Sequence, residues 1–117
     1  MKFVPASFVA ATSLAALTLV ACAGTSSSSG GTSNADRSAA IAKLSGSATQ
    51  GKTPFTQNCV TCHGTDAKSG SAAKNLPAES ASSAFTQILE GGGGMQSFSS
   101  LSDQDIANIW AYVVTLK

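Results

Sequence analysis

The chemistry of this chain is concentrated in five consecutive residues, Cys59-Val60-Thr61-Cys62-His63. Two thiols three residues apart lie on the same side of a helical turn, and an imidazole follows the second directly. Thiols so placed serve as covalent attachment points, exchange as a dithiol, close a disulfide or ligate a metal. Imidazole is a common metal ligand near neutral pH. His63 is the only histidine in the chain, and the methionines are Met1 and Met95 alone.

The pattern C-x-x-C-H is the attachment signature of c-type haem. Its thiols form thioethers with the two vinyl groups, and the adjacent histidine is held beneath the iron as an axial ligand. Other readings stay open on the residues alone. An exported protein meets an oxidising compartment, so Cys59 and Cys62 can be a redox dithiol, although no thioredoxin-like strand–helix context surrounds them. A structural zinc site needs four ligands, and Cys59, Cys62 and His63 are the only Cys or His residues besides Cys22. A structural disulfide would leave His63 without a role.

Charge narrows the function classes. Seven Lys+Arg stand against six Asp+Glu in 117 residues, a formal net charge of +1. That balance gives no electrostatic basis for holding a nucleic-acid backbone, nor for a basic helix lying on a membrane surface.

The N-terminus reads as an address. Met1-Lys2 supplies a short positive region, and residues 3–20 carry no charge. The run ends in Leu19-Val20-Ala21-Cys22, which resembles a bacterial lipobox and predicts a signal peptide over 1–21. The alternatives are an uncleaved anchor, since such a run sits at the low end of the ~17–25 residues a span needs, and plain secretion; all three export the chain. The resemblance implies lipidation of Cys22 as the mature N-terminus, and several acyl chains give stable anchoring where one does not. Ala23 after the cysteine, rather than Asp, points to the outer membrane if the source is diderm. Residues 22–47 are then the lipidated cysteine and a tether rich in Ser, Gly and Ala, too poor in apolar side chains to order itself. Its r.m.s. reach is about 25–30 Å.

Residues 48–117 form the expected domain. A chain of about seventy residues gains little from one apolar core and usually carries a disulfide, metal or cofactor. Gly51-Lys52-x-x-Phe55-x-x-Asn58-Cys59, followed by the C-x-x-C-H motif and Gly64, resembles the first helix and haem motif of the small monohaem class I cytochromes c. Thr53 is expected to cap that helix, with Pro54 in its first turn. Gly91-Gly92-Gly93-Gly94-Met95 resembles the Gly-rich loop that delivers the family's distal ligand; without the upstream motif it reads as a slack linker and Met95 as a core gap-filler.

The resemblance implies an all-α small cytochrome c fold, three to four helices around one covalently attached haem c. Cys59 and Cys62 would be its thioethers, His63 the proximal and Met95 the distal iron ligand. Two departures stand out. Gln96 follows Met95 where the family often has proline, which leaves the loop softer. Lys74-Asn75-Leu76 lacks the proline whose carbonyl usually accepts from the proximal histidine, so another carbonyl, such as that of Lys74, must serve. Ser80–Glu90 and a helix starting at Ser102 complete the pattern, with Phe85, Ile88 and Leu89, then Ile106, Ile109, Trp110 and Val113, at helical spacing. Ile109 and Tyr112 are expected to cross Gly51 and Phe55.

The implied function is a membrane-tethered single-electron carrier, not an enzyme. It would work outside the cytoplasmic membrane with redox protein partners such as other cytochromes or an oxidase or reductase complex, and with no nucleic acid or small-molecule substrate. A five-coordinate haem sensor or peroxidase-like protein, and a haem-free thiol-redox lipoprotein, are the alternatives.

Overall fold

Two helices cross so tightly in this protein that a side chain at the crossing would not fit. In the computed structural model, which describes residues 31–72 and 74–117, helix α2 (Ala48–Asn58) lies across helix α5 (Asp103–Val113). A Cβ on Gly51 would sit 1.8 Å from the carbonyl oxygen of Asn108. Four residues along α2, buried Phe55 meets Tyr112 with ring centroids 5.5 Å apart. The expected crossing of Gly51 and Phe55 with Ile109 and Tyr112 is therefore present.

Between these helices come a single turn, α3 (Val60–His63), a short 3-10 turn at Leu76–Ala78, and helix α4 (Ala81–Glu90). No strand occurs among the described residues, so the fold is all-α as expected. None of the described helices is long and apolar enough to cross a membrane. The signal peptide, Cys22 and the start of the tether lie outside the described residues.

Local sequence sets the helix ends. The Ser80 and Ser102 hydroxyls accept from the backbone N–H of Ser83 and Asp105, each satisfying a donor that the first turn leaves free. Asp103 and Asp105 add negative charge where the helix dipole favours it. Gly91 stops α4 with φ 73°, a conformation open to glycine at no steric cost.

Two expectations need correction. Helix α2 does not begin at Thr53: Ser47 caps it, and Pro54 lies inside it. The earlier start is held from outside the helix, because buried Asn108 accepts from the Ser47 N–H at 2.8 Å. The second correction concerns the tether, expected to run to residue 47. Asn34–Ile41 form a helix, α1, capped by Ser33. Ile41 is fully buried with Phe85, Leu89, Ile106 and Ala107, and Arg37 bonds Asp103 on α5 at 2.6 Å. The folded unit thus begins ahead of Ala48.

The core has two parts. One joins α1, α4 and α5 around Ile41, Phe85 and Ile106; the other joins Phe55, Ala67, Ile109 and Val113. Trp110 and Leu101 pack against both. If α1 belongs to the domain, Ile41→Ala will cost about 2–5 kcal/mol, the usual range for truncating a buried isoleucine. Chemical denaturation of the holoprotein measures it. A loss below about 0.5 kcal/mol, typical of exposed sites, would return α1 to the tether.

Candidate haem-binding site

The C-x-x-C-H motif sits at the junction of α2 and α3. Cys59 ends α2, its N–H donating to Phe55 O at 2.8 Å, and its own carbonyl accepts from the N–H of Cys62 (3.2 Å) and His63 (2.9 Å). One turn thereby carries both thiols and the imidazole. Cys59 and His63 are half-buried and Cys62 is exposed; neither cysteine is in a disulfide.

Residues 64–72 fold back over this turn. The N–H groups of Gly70 and Ala72 donate to His63 O (3.2 Å) and Cys62 O (2.8 Å), and a Cβ on Gly70 would come within 2.1 Å of the Cys62 oxygen. Asp66 ties the loop, one carboxylate oxygen accepting from Lys68 N, Ser69 N and Ser69 Oγ, each at 2.9 Å. Hydrogen bonds to the charged form hold the Asp66 carboxyl down at about 2. No recognisable motif announces this support; only the Asp-x-x-Ser spacing of Asp66 and Ser69 hints at it.

Cys59 and His63 face a cleft that is open to solvent on one side. Phe55, Leu76, Ile88, Ile109, Trp110 and Val113 form apolar walls, and Lys74, Glu79 and Gln87 line it as well. Lys74 and Glu79 pair at 3.1 Å. Cys62 contributes nothing to this lining. Cys22 lies outside the described residues.

Met95 lines the same cleft, from a different part of the chain. Gly91 to Gly94 all have positive φ, between 60° and 102°. That path lets Gly92 and Met95 exchange both backbone hydrogen bonds, at 2.8 and 3.0 Å. Gln87 Nε2 donates to the carbonyls of Gly91 and Gly92 at 2.8 and 2.9 Å. Beyond Met95, Ser97 Oγ bonds Leu89 O (2.6 Å) and Phe98 N bonds Ile88 O (2.8 Å). The softness expected from Gln96 in place of proline is offset by these bonds to α4.

Burial pushes the Cys59 thiol up to about 11, helped by the neighbouring Cys62. Exchange-active dithiols work through a depressed thiolate pKa, so the trend runs against a redox dithiol. Burial lowers the pKa of His63, which keeps the imidazole neutral and able to ligate. Its Nδ1 is buried with no hydrogen-bond partner among the described residues; the expected acceptor at Lys74 is not found. No cluster of three or more His, Cys, Asp or Glu side chains suited to a metal ion occurs among the described residues. A neutral, half-buried imidazole, two thiols on one turn and a mostly apolar cleft fit a haem.

A family model described as "Cytochrome C oxidase, cbb3-type, subunit III" matches residues 46–113. The chain belongs to this cytochrome c family. No curated protein and no solved structure matches it significantly. The domain binds one covalent haem c and carries electrons. The match takes in the haem motif, the Gly-rich loop and both crossing helices, and leaves α1 outside.

Asp66 makes a test of the loop over the motif. Its folded pKa lies below the ordinary ~3.9, so the stability it adds is present above pH 4 and is lost as pH falls towards 2. Asp66→Asn should therefore lower the unfolding midpoint at pH 6 and match the unsubstituted cytochrome near pH 2. A gap that persists unchanged at pH 2 would show that the charge does not hold the loop.

Proposed function

We propose that this cytochrome is a single-electron carrier with His63 and Met95 as axial ligands and Cys59 and Cys62 as the haem thioethers. The observation that carries the reading is the convergence of His63 and Met95, 32 residues apart in the chain, on one cleft. Bound haem c supplies a one-electron iron couple. The protein's own residues determine how that couple is used. With His63 and Met95 both holding the iron when haem is bound, the site would favour outer-sphere transfer over substrate chemistry at iron. Thioether sulfur favours the reduced metal and raises the potential relative to two imidazoles. The apolar Phe55, Ile109 and Trp110 walls would shield bound haem from water on that side, which limits reorganisation as charge changes.

The sensor or peroxidase-like alternative needs Met95 to be loosely held. The paired Gly92–Met95 bonds and the Gln87 ties favour the carrier instead.

The carrier is tethered by lipid at Cys22, on the outer side of a bacterial membrane, with the outer membrane as its site in a diderm cell. A tether raises the effective concentration of a partner in the same membrane. The partner is a redox protein, with an oxidase complex favoured by the family's name. Loss of residues 1–21 leaves six basic against six acidic side chains, so docking relies on short-range fit more than on long-range charge.

An oxidised-minus-reduced visible spectrum of the holoprotein tests the ligands. Sharp ferrous bands with a weak Met–Fe charge-transfer band in the ferric form are expected, and Met95→Leu should abolish that band. A high-spin spectrum unchanged by Met95→Leu would overturn His/Met ligation. For the anchor, Cys22→Ser should move the cytochrome from the membrane fraction to the soluble fraction; continued pelleting with membranes would refute lipidation as the tether.

A further inference from the structure

Helix α1 lies ahead of the residues that match the family, yet its one basic side chain reaches the segment that follows Met95. Arg37 donates from Nε to Asp103 Oδ1 at 2.6 Å, from Nη1 to Ser99 O at 2.6 Å and from Nη2 to Leu101 O at 2.5 Å. All three guanidinium nitrogens are engaged on residues 99–103. A guanidinium is a flat, rigid fork, so these contacts fix three points of one short stretch relative to one another and to α1.

That stretch belongs to a single span, from Gly91 at the end of α4 to the Ser102 cap of α5, and Met95 rides on it. Its α4 end is tied by Gln87, Ser97 and the Phe98 N–H. Between Phe98 and Ser102 the span's own ties among the described residues are the Leu101 N–H to Phe98 O turn at 3.0 Å and the Ser99 N–H to Ser97 Oγ at 3.3 Å, and neither reaches another element. Arg37 takes up two main-chain carbonyls there.

We propose that Arg37 is a positioning residue for Met95. By pinning 99–103 to α1, it holds the whole span against the cleft and limits how readily Met95 leaves the iron. The inference rests on the reading of Met95 as distal ligand. Docking of α1 does not by itself explain the contacts, because Ile41 seats the helix on Phe85, Leu89 and Ile106 independently. Nor does simple charge attraction, since the side chains of Arg37 and Asp103 are 22% and 39% exposed and pairs so placed gain little from Coulomb energy. What the arginine adds is fixed geometry on backbone carbonyls.

Cyanide binding to the ferric holoprotein reads this directly, because the anion enters only when Met95 departs. Arg37→Gln should speed cyanide binding about tenfold, as expected if roughly one good hydrogen bond of restraint on the span is lost. Arg37→Lys, which keeps the charge without the fork, should behave like Arg37→Gln. Ile41→Val, which loosens the core under α1 and leaves the Arg37 bonds to residues 99–103 in place, serves as the control, with each variant's loss of stability measured in denaturant. A faster reaction in the arginine variants alone supports the proposal. Cyanide rates that follow stability loss equally in all three variants, or that do not change in Arg37→Gln, overturn it. A ferric protein lacking the Met–Fe band overturns the ligand reading and this inference together, whereas an intact band with unchanged cyanide kinetics overturns this inference alone.

Discussion

The close approach of α2 to α5 at Gly51 is the constraint from which the site follows. With the backbone of α2 almost touching the Asn108 carbonyl, Phe55 is carried into the interior and the end of α2 is aimed at the cleft. Cys59, α3 and His63 continue from that end. Ile109, Trp110 and Val113, on the facing helix, become the opposite wall. A larger residue at position 51 would separate the helices, and widening there would be felt at every side chain that lines the haem. Asn108 serves both sides of the crossing: its backbone makes the contact, and its side chain bonds Ser47 and Gln50.

The two halves of the site are built on different principles. The His63 half is local, one helical turn braced by the loop of residues 64–72, with Asp66 and Gly70 holding the loop in place. The Met95 half is a backbone construction, in which four successive glycines reach conformations that other residues rarely adopt and the Gln87 side chain satisfies the carbonyls of Gly91 and Gly92. Glycine has the most conformational freedom to lose on ordering. The ties from α4 and α1 supply the order that the glycines lack.

Much of this was legible in the chain itself. The haem motif declares its chemistry because two thiols and an imidazole must share one turn. The caps at Ser80 and Ser102 and the stop at Gly91 are local chemistry, and the structure follows them. Helix α1 was not legible: its sequence has one large aliphatic, Ile41, and one arginine, and both find partners more than forty residues away. The start of α2 was misread for the same reason. Thr53-Pro54 looks like a helix opening, but Asn108 stabilises an earlier cap that no local pattern announces. The missing proline before Asn75 hinted that the His63 Nδ1 lacked its usual acceptor, but that no other carbonyl among the described residues takes its place is a property of the folded interior.

Where the domain begins has a practical consequence. A fragment cut at residue 46, where the family match starts, would lack Ile41 and leave the apolar seat formed by Phe85, Leu89 and Ile106 facing water. Such a fragment would keep every haem-motif residue and still be a different object in solution, prone to cover that seat with another molecule. The segment that looks like the last stretch of leash is the lid of the hydrophobic core.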